Sequence, residues 1–404
     1  MALDSSIRRQ FPFTRLREGI AYLDSAATTQ QPQAVIDAVS DRASRGVGGV
    51  HRGLHPLSDE STDAFERARA SGAQFLGAAH ADEIVFVGGT TMGINLVARS
   101  LGDSWGEGDA VVVTELDHHS NVAPWLALKQ RRGVEVRWIG VDADGRLKDD
   151  DVESAFRDGC VRMLAVTGQS NVLGVQPDLE TLVRVAHDHG ALACVDAAQR
   201  AAHSPIDVRS IDCDFLACSG HKIYGPTGIG MLYGKRELLA EMGPFMAGGG
   251  MVRSVTREGF VPADAPARFE AGTPNLLGAI GLAAAIEWQK QFPWDERIAH
   301  ENAMVSLLLE ELRSTEGVRV LGPGDGSARG CVGFVVDGLH PHDVAQVLGD
   351  QGVCVRAGHH CAQPLHEALG IAASVRASVG LYTNDDDVRA LRPALEKARS
   401  VLLR

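Results

Sequence analysis

The chain has 404 residues, of which 45% are hydrophobic and 23% charged, and its formal net charge is −13. This length exceeds that of one typical core, so we expect two domains. The acidic balance argues against nucleic acid or an anionic membrane as the main partner. No apolar run approaches the roughly 20 residues of a membrane helix, and the first residues lack the basic-then-apolar pattern of a secretion signal. Seven cysteines, none in a CxxC pair, argue against a disulfide framework and against structural zinc, and favour a cytoplasmic protein.

Between residues 83 and 233, short apolar runs alternate with helix-like stretches. The strand candidates are residues 83–87, 110–113, 134–138, 161–166, 192–195, 215–218 and 230–233. This alternation predicts an α/β fold with a mostly parallel, seven-stranded sheet covered by helices on both faces. The last run follows its predecessor too closely for a crossover helix, so we expect that strand to be antiparallel.

The remaining third of the chain predicts a smaller α+β domain. A glycine-rich stretch at 247–251 opens a segment with Pro262 and Pro266 that we expect to be a loop. A helical pattern from 276 to about 291 leads to strand candidates at 318–321, 331–336 and 353–355 and to a last helix near 388–403. We therefore expect a large domain at 20–280 and a small domain at 281–404, with residues 1–19 packed on the small one.

A lysine and an aspartate follow two of the predicted strands. Lys222 lies in Ser219-Gly-His-Lys-Ile-Tyr-Gly-Pro226, and Asp196 lies in Val195-Asp-Ala-Ala-Gln199. The carboxyl ends of neighbouring parallel strands face one crevice. A buried lysine is suited to Schiff-base chemistry, and pyridoxal phosphate needs a lysine together with an acidic partner for its ring nitrogen. The alternatives are a surface lysine and a helix N-cap.

Two further motifs follow the first and second predicted strands. Gly88-Gly-Thr-Thr-Met-Gly93 opens a helix whose free N–H groups could bind an anion, with hydroxyls from Thr90 and Thr91, although such a start is also common in ordinary helices. In Asp117-His-His-Ser-Asn121, an imidazole could lie on a cofactor ring and move protons. The alternative is a metal site, which would need a third ligand from elsewhere.

Three polar residues are candidates for substrate chemistry. Asn171 could bind a carboxylate or the cofactor, or form an Asx turn. Arg376, in the run 374–378, could clamp a carboxylate or be a surface arginine. Cys361 ends Arg356-Ala-Gly-His-His-Cys361, where basic neighbours favour a thiolate, whereas the other six cysteines lie in or beside apolar runs and are predicted to be core residues. Cys361 could also be an ordinary loop cysteine.

Taken together, the motifs resemble those of SufS-type (group II) cysteine desulfurases, which are fold type I enzymes of the class V aminotransferase family. The resemblance runs from residues 22–27 to 376–378. It is carried by GGTTMGIN, DHHSN, SNVLG, VDAAQ, SGHKIYGPTG, RFEAGTPN and RAGHHCAQPL.

The resemblance implies pyridoxal 5'-phosphate as cofactor and L-cysteine as substrate. Lys222 would bond the cofactor and move the Cα proton, while His118 would stack on the ring. The other implied cofactor contacts are Asp196 at the ring nitrogen, Gln199 at the phenolic oxygen, and Thr90, Thr91, Ser219 and His221 at the phosphate. Thr273 would reach the phosphate of the other subunit of a homodimer. The implied substrate contacts are Asn171 and Arg376 at the carboxylate, with Arg356 and His51 nearby.

The resemblance also implies the reaction. Cys361 would take the substrate sulfur as a persulfide, alanine would leave, and the sulfur would pass to an acceptor protein for iron–sulfur cluster assembly in the SUF system. The segment RAGHHCAQPL resembles members that serve a zinc-bearing SufU-type acceptor, with His342 as a possible contact, although a SufE-type acceptor is also possible. The alternative for His342 is a histidine at a helix N-terminus with no role in partner binding. Two positions depart from the family pattern: Asp117 stands where Glu is usual, and Ala357 where some members have Thr.

Other functions fit parts of the pattern. Within the family, the alternatives are a selenocysteine lyase or a cysteine sulfinate desulfinase. Outside it, the alternatives are a non-catalytic binding protein on the same fold or a His/Cys metal-binding protein.

Overall fold

The computed structural model describes residues 6–403. Its strands are β1 (Ala21–Tyr22), β2 (Ile84–Val87), β3 (Ala110–Thr114), β4 (Glu135–Ile139), β5 (Val161–Thr167), β6 (Leu192–Asp196), β7 (Phe215–Ser219), β8 (Gly230–Gly234), β9 (Val252–Val255), β10 (Phe260–Pro262), β11 (Val318–Val320), β12 (Cys331–Val336), β13 (Val353–Cys354), β14 (Arg356–Gly358) and β15 (Ser374–Ser378).

The α-helices within the same residues are α1 (Ser6–Arg9), α2 (Pro12–Leu16), α3 (Gln33–Arg45), α4 (Pro56–Leu76), α5 (Thr90–Ser100), α6 (Ala123–Arg132), α7 (Asp149–Ala155), α8 (Leu179–Asp188), α9 (Arg200–His203), α10 (Val208–Ile211), α11 (Arg236–Glu241), α12 (Leu276–Gln289), α13 (Trp294–Arg313), α14 (Pro341–Asp350), α15 (Gln363–Ala368), α16 (Asp385–Arg389) and α17 (Leu391–Leu402). None of these helices combines the length and the apolar character that a bilayer crossing demands.

The seven predicted strands form one sheet in the order β2-β8-β7-β6-β5-β3-β4. Every pairing is parallel except the two made by β8, which is antiparallel to β2 and to β7. Strands β2, β3, β7 and β8 are buried along their whole length, as expected for a sheet covered on both faces. The predicted α/β fold and the antiparallel last strand are confirmed.

A second core forms around the antiparallel sheet β11-β12-β15-β14. Helices α13, α14 and α17 pack on this sheet or on one another. Strand β1 pairs with β13, and Leu23 is buried in this second core although it lies near the start of the chain. The α/β sheet with a smaller C-terminal α+β unit agrees with the fold expected from the sequence.

Helix α12 packs against α3 and α4, and its apolar residues belong to the core of the large sheet. The next helix, α13, belongs to the second core. We therefore propose that the boundary between the domains, expected at residue 280, follows these cores and lies between α12 and α13.

The described part of the N-terminal segment contacts both domains. Phe11 is fully buried and packs edge-on against Trp288 of α12 and Tyr382. Arg8 forms an ion pair with Asp387 of α16. The expectation that residues 1–19 pack on the small domain remains a proposal, and residues 1–5 lie outside the described part.

The glycine-rich segment after residue 247 contains a hairpin that we did not expect. Strands β9 and β10 pair antiparallel within the segment predicted to be a loop. Each has only three or four residues, and Val255, Phe260 and Val261 are exposed. Such short strands bury no continuous face, so they leave little periodic signal in the sequence.

Gly230 allows β8 to approach the loop before α5. A Cβ atom there would lie 2.4 Å from the Cys218 carbonyl oxygen and 2.8 Å from the Gly89 Cα. Both neighbours are backbone atoms and cannot rotate away. Any larger residue must therefore separate β8 from β7 or displace this loop.

We expect Gly230→Ala to lower the apparent Tm of the protein by several degrees, because this overlap costs on the order of 1–3 kcal/mol. The matched control is Gly243→Ala, since a Cβ at Gly243 meets nothing within 4 Å. Thermal denaturation of both variants measures the effect. Equal Tm values for the two variants would contradict this packing argument.

Candidate active site

A cavity of about 190 Å³ opens at the carboxyl ends of the central strands, beside the start of α5. It is lined by Ala27, Thr90, Thr91, His118, Ser120, Thr167, Gln169, Asn171, Asp196, Ala198, Gln199, Ser219, His221 and Lys222. The structure therefore brings most of the residues singled out in the sequence to one cavity, at the sheet edge where α/β proteins bind ligands.

The start of α5 and the end of β7 form one corner of this cavity. The Thr90 N–H donates to Ser219 Oγ over 2.9 Å, and the two hydroxyl oxygens are 2.7 Å apart. Gly89 precedes the helix with a φ of 149°, which favours glycine. Thr91 is exposed to the cavity, and His221 lies at its edge. This corner offers a helix N-terminus and hydroxyls to an anion.

Asp196 and Lys222 form the floor of the cavity. Asp196 is buried, and its carboxylate accepts a 2.9 Å bond from the Ala198 N–H. Burial raises the pKa of Asp196, while the nearby charge of Lys222 opposes this change. The carboxylate is thus a buried anion that a bound cation would stabilise.

The Lys222 amine has no hydrogen-bond partner among residues 6–403. Burial lowers its pKa to about 8, against the opposing effect of Asp196, and the charges of Arg376 and Arg356 lower it further. A substantial fraction of the amine is therefore neutral near physiological pH. A neutral amine can act as a nucleophile and accept protons.

His118 presents a neutral imidazole to the cavity. Its Nδ1 accepts a 3.1 Å bond from the Ser120 N–H and lies 2.5 Å from Ser120 Oγ. Because Nδ1 is an acceptor, this hydrogen bond assigns the ring proton to Nε2. Burial lowers the pKa of His118 to about 3, and the charge of Lys222 adds to this effect.

Asp117 supports the loop that carries His118. It is fully buried and accepts bonds from the backbone and hydroxyl of Thr114 and from Asn121 Nδ2, at 2.8, 2.8 and 2.9 Å. Burial raises the pKa of Asp117 to about 7. These bonds anchor the loop within its own domain.

Three polar side chains complete the wall around Lys222. Gln199 Nε2 donates to the Ala26 carbonyl over 2.8 Å. Arg376 is fully buried and donates to the Asn171 carbonyl oxygen at 2.9 Å and to Asp24 Oδ1 at 2.8 Å. Within residues 6–403, the Arg376 Nε and the Asn171 Oδ1 are buried and have no hydrogen-bond partner. Unpaired buried polar atoms are costly, and here they suit a polar ligand.

The Cys361 loop of the small domain docks onto the large domain. The His119 N–H donates to the Cys361 carbonyl oxygen over 2.7 Å, and Asn171 Nδ2 donates to the His360 carbonyl oxygen over 2.8 Å. Arg356 Nη2 lies 3.9 Å from Cys361 Sγ. Cys361 is half-buried and close enough for its charge to affect the pKa of Lys222.

Two of the residues expected at the site lie elsewhere. His51 and Thr273 are exposed and line a separate cavity of about 1310 Å³. His51 Nε2 is 3.1 Å from Glu66 Oε1. Within one chain, neither residue lines the cavity that contains Lys222. Any role for them in that cavity therefore depends on a second copy of the chain.

Sequence reasoning missed several residues of the site. Ser120, Thr167 and Gln169 line the cavity, and Asp24 pairs with Arg376. Ser120 belongs to the motif that pointed to His118, so its spacing from that histidine was an available signal. Nothing local in the sequence signals the pairing of Asp24 with Arg376, because the two residues lie near opposite ends of the chain.

Comparisons with known proteins agree with this geometry. Residues 21–391 match the aminotransferase class V family. A cysteine desulfurase of Klebsiella pneumoniae is 43% identical over 98% of this chain and 98% of its own length. The solved structure of the cysteine desulfurase CsdA of Escherichia coli, in an S-sulfonic acid form, covers 99% of this chain and all of its own, with 39% identity and a TM-score of 0.91. An apo cysteine desulfurase from Thermococcus onnurineus gives 38% identity and a TM-score of 0.93, with 99% of each chain covered.

The chain therefore belongs to the class V aminotransferase family, and its fold is that of the fold type I desulfurases. Within this family it belongs with the cysteine desulfurases of the CsdA-like (group II) type, and its cofactor is pyridoxal 5'-phosphate.

The residues of the cavity fit this cofactor. Asp196 is a buried carboxylate that forms no ion pair within the described part of the chain, which suits a protonated pyridine nitrogen. The unbonded Lys222 amine suits the aldehyde carbon, and the corner between Ser219 and Thr90 suits the phosphate. The donor set therefore matches the chemistry of all three parts of the cofactor.

The charges around Lys222 predict opposite shifts of its pKa in the cofactor-free protein. Asp196→Asn should lower the pKa below about 8, because a raising charge is lost, whereas Arg356→Gln should raise it. The pH dependence of Lys222 labelling by an amine reagent, read by peptide mass spectrometry, measures both shifts. Nα-acetyl-lysine, whose side-chain amine has a pKa of about 10.4, is the reference. Shifts of the same sign in both variants would rule out this electrostatic account.

Proposed function

We propose that the protein converts L-cysteine to L-alanine and carries the released sulfur as a persulfide on Cys361. The observation that carries this proposal is the docking of the Cys361 loop beside the cavity of Lys222. Arg356 contacts Cys361 Sγ, and the charges of both residues act on the Lys222 amine. Transfer of sulfur to the protein as a persulfide requires a thiol near the cofactor lysine, whereas transamination does not.

Several residues would hold the cofactor. When bound, pyridoxal phosphate supplies an electron sink for the charge left at the substrate Cα. Asp196 would bind the ring nitrogen and Gln199 the phenolic oxygen. The phosphate would be held by Thr90, Thr91, Ser219 and His221. The buried position of Asp196 supports its role, because an ion pair there would compensate a buried charge.

Lys222 is the group that would move protons at the substrate. Its lowered pKa supports this role, because the neutral amine can take the Cα proton. His118 would lie on the ring as a neutral imidazole, with Nε2–H available as a donor. Asn171 and Arg376 would bind the substrate carboxylate, and the unpaired Arg376 Nε supports that assignment.

Sulfur transfer then uses Cys361. Its thiolate attacks the substrate Sγ, so that a sulfur–sulfur bond forms while the substrate Cβ–Sγ bond breaks. The electron pair of the broken bond stays on Cβ, which takes a proton to become the methyl group of alanine. The guanidinium of Arg356, beside Cys361 Sγ, would stabilise the negative sulfur.

Replacing Cys361 by serine should lower alanine formation from L-cysteine at least about 100-fold, because a hydroxyl attacks sulfur poorly. The absorbance of the lysine-bound cofactor at about 420 nm should remain, since Lys222 is retained. Cys160→Ser is the control, because this thiol contacts Asp158 and Arg137 outside the cavity. Alanine release at the wild-type rate by Cys361→Ser would refute the proposed mechanism.

We further propose that the persulfide sulfur passes to an acceptor protein and serves iron–sulfur cluster assembly. The surface beside the Cys361 loop supports an acceptor contact at His342. This residue is exposed at the first turn of α14, and its Nε2 lies 3.4 Å from where a Cβ at Gly358 would be. Gly358 begins the loop that carries Cys361, so a protein that takes sulfur there would meet His342. A zinc-bearing, SufU-type acceptor fits an exposed imidazole, which is a zinc ligand.

His342→Ala should therefore reduce the stimulation of turnover by a zinc-bearing acceptor, by about 10-fold if the imidazole binds the metal. Asp350→Asn, at the far end of the same helix, is the matched control and should keep full stimulation. Alanine formation as a function of acceptor concentration provides the measurement. Unchanged stimulation in His342→Ala would remove this residue from the acceptor site.

A homodimer would complete the cofactor site. Thr273 is exposed at the rim of the large cavity, from which it could reach the phosphate of a second copy. The nearby hairpin exposes Val255, Phe260 and Val261, and an apolar surface of this kind suits burial in an assembly. His51 lines the same cavity and would approach the second copy's substrate.

A cytoplasmic location is also part of the proposal. All seven cysteines are free in the structure. A sulfur carrier that works through a thiol needs a reducing compartment, which the cytoplasm provides.

A further inference from the structure

His119 contacts the Cys361 loop at two points that flank the cysteine. Its backbone N–H donates to the Cys361 carbonyl oxygen over 2.7 Å. Its ring Nε2 accepts a 3.1 Å bond from the Gln363 N–H. Both bonds cross from the large domain to the small one.

The ring of His119 accepts a hydrogen bond from the backbone N–H of Gln363, for which the small domain provides no acceptor among the described residues. Gln363 is the first residue of α15, and the N-cap residue, Ala362, has no side chain that could accept from the helix. Burial lowers the pKa of His119, and the charge of His359 acts in the same direction. Because Nε2 accepts the Gln363 N–H, this nitrogen carries no proton in the structure.

The loop conformation requires support from outside. His360 and Cys361 have φ values of 52° and 56°, in the left-handed region that residues with a Cβ rarely occupy. Within the small domain, His360 Nε2 lies 3.1 Å from Ser374 Oγ. The Cys361 end of the loop is held across the domain boundary by His119.

The two adjacent histidines face different parts of the site. His118 lines the cavity with Lys222, whereas His119 contacts the Cys361 loop. Because the two residues are adjacent, the same short segment lines the cavity and forms two hydrogen bonds to the Cys361 loop, and Asp117 anchors this segment through Thr114 and Asn121.

We propose that His119 is a positioning residue that holds the Cys361 loop over the cavity, with its ring Nε2 as the acceptor for the Gln363 N–H. The proposal rests on the role of Cys361 as the proposed sulfur nucleophile. It assigns to His119 no contact with cofactor or substrate. A misplaced thiol would slow sulfur transfer and leave substrate binding intact.

The test compares His119→Ala with His119→Gln in the full-length, cofactor-loaded protein. Alanine removes the acceptor, whereas the glutamine Oε1 can occupy the place of Nε2. We expect His119→Ala to lower kcat about 10- to 100-fold with the KM for L-cysteine within about twofold. His119→Gln should recover most of the loss. His189→Ala, an exposed histidine whose ring bonds the Val185 carbonyl oxygen, is the control and should retain wild-type rates.

A second readout does not depend on the reaction. The alkylation rate of Cys361 by iodoacetamide, read by peptide mass spectrometry without substrate, should rise several-fold in His119→Ala and return towards the wild-type rate in His119→Gln. Wild-type kcat and alkylation rates in His119→Ala would overturn the proposal, as would a glutamine variant as impaired as the alanine variant. If Cys361→Ser kept full activity, the proposed function would fail, yet the alkylation rates would still report whether His119 holds the loop.

Discussion

The site depends on the placement of Lys222, which is half-buried, close to the buried Asp196, where the neighbouring strands β7 and β6 end. Burial acts on both groups in the direction of the neutral form, since it lowers the pKa of the lysine and raises that of the aspartate. Neither group could be kept in this state on an exposed loop. A cofactor that takes a covalent bond from the amine and brings a cation to the carboxylate relieves both costs, so the pair favours such a ligand.

The second requirement is the contact between the domains. The large domain supplies the cavity, and the small domain supplies Arg376 and Cys361. The proposed site therefore needs residues from both domains. Among residues 6–403, the bonds that join the two at this point include Arg376 to the Asn171 carbonyl oxygen, Asn171 to the His360 carbonyl oxygen, and the two bonds of His119. These bonds would have to break before Cys361 could move away from the cavity of Lys222.

Much of the fold and the chemistry could be predicted from local sequence. Apolar runs with intervening helices identified all seven strands of the large sheet, and Lys222 and Asp196 were recognised because each follows such a run. Local pattern could not predict the pairing of Asp24 with Arg376, or the docking of Cys361 on His119, since both join segments that lie far apart in the chain. The hairpin of β9 and β10 was missed for a different reason, because its exposed strands have no buried face.

The position of β8 has a consequence for the order in which the molecule can assemble. Strand β2 is the first strand of the large sheet along the chain, yet its partner in the sheet is the last, β8. The loop after β2 is likewise bonded to Ser219, at the end of β7. During synthesis β2 must therefore remain unpaired until almost all of the large domain has emerged. Such long-range pairing is slow, so the corner that would receive the phosphate is among the last parts of this domain to form.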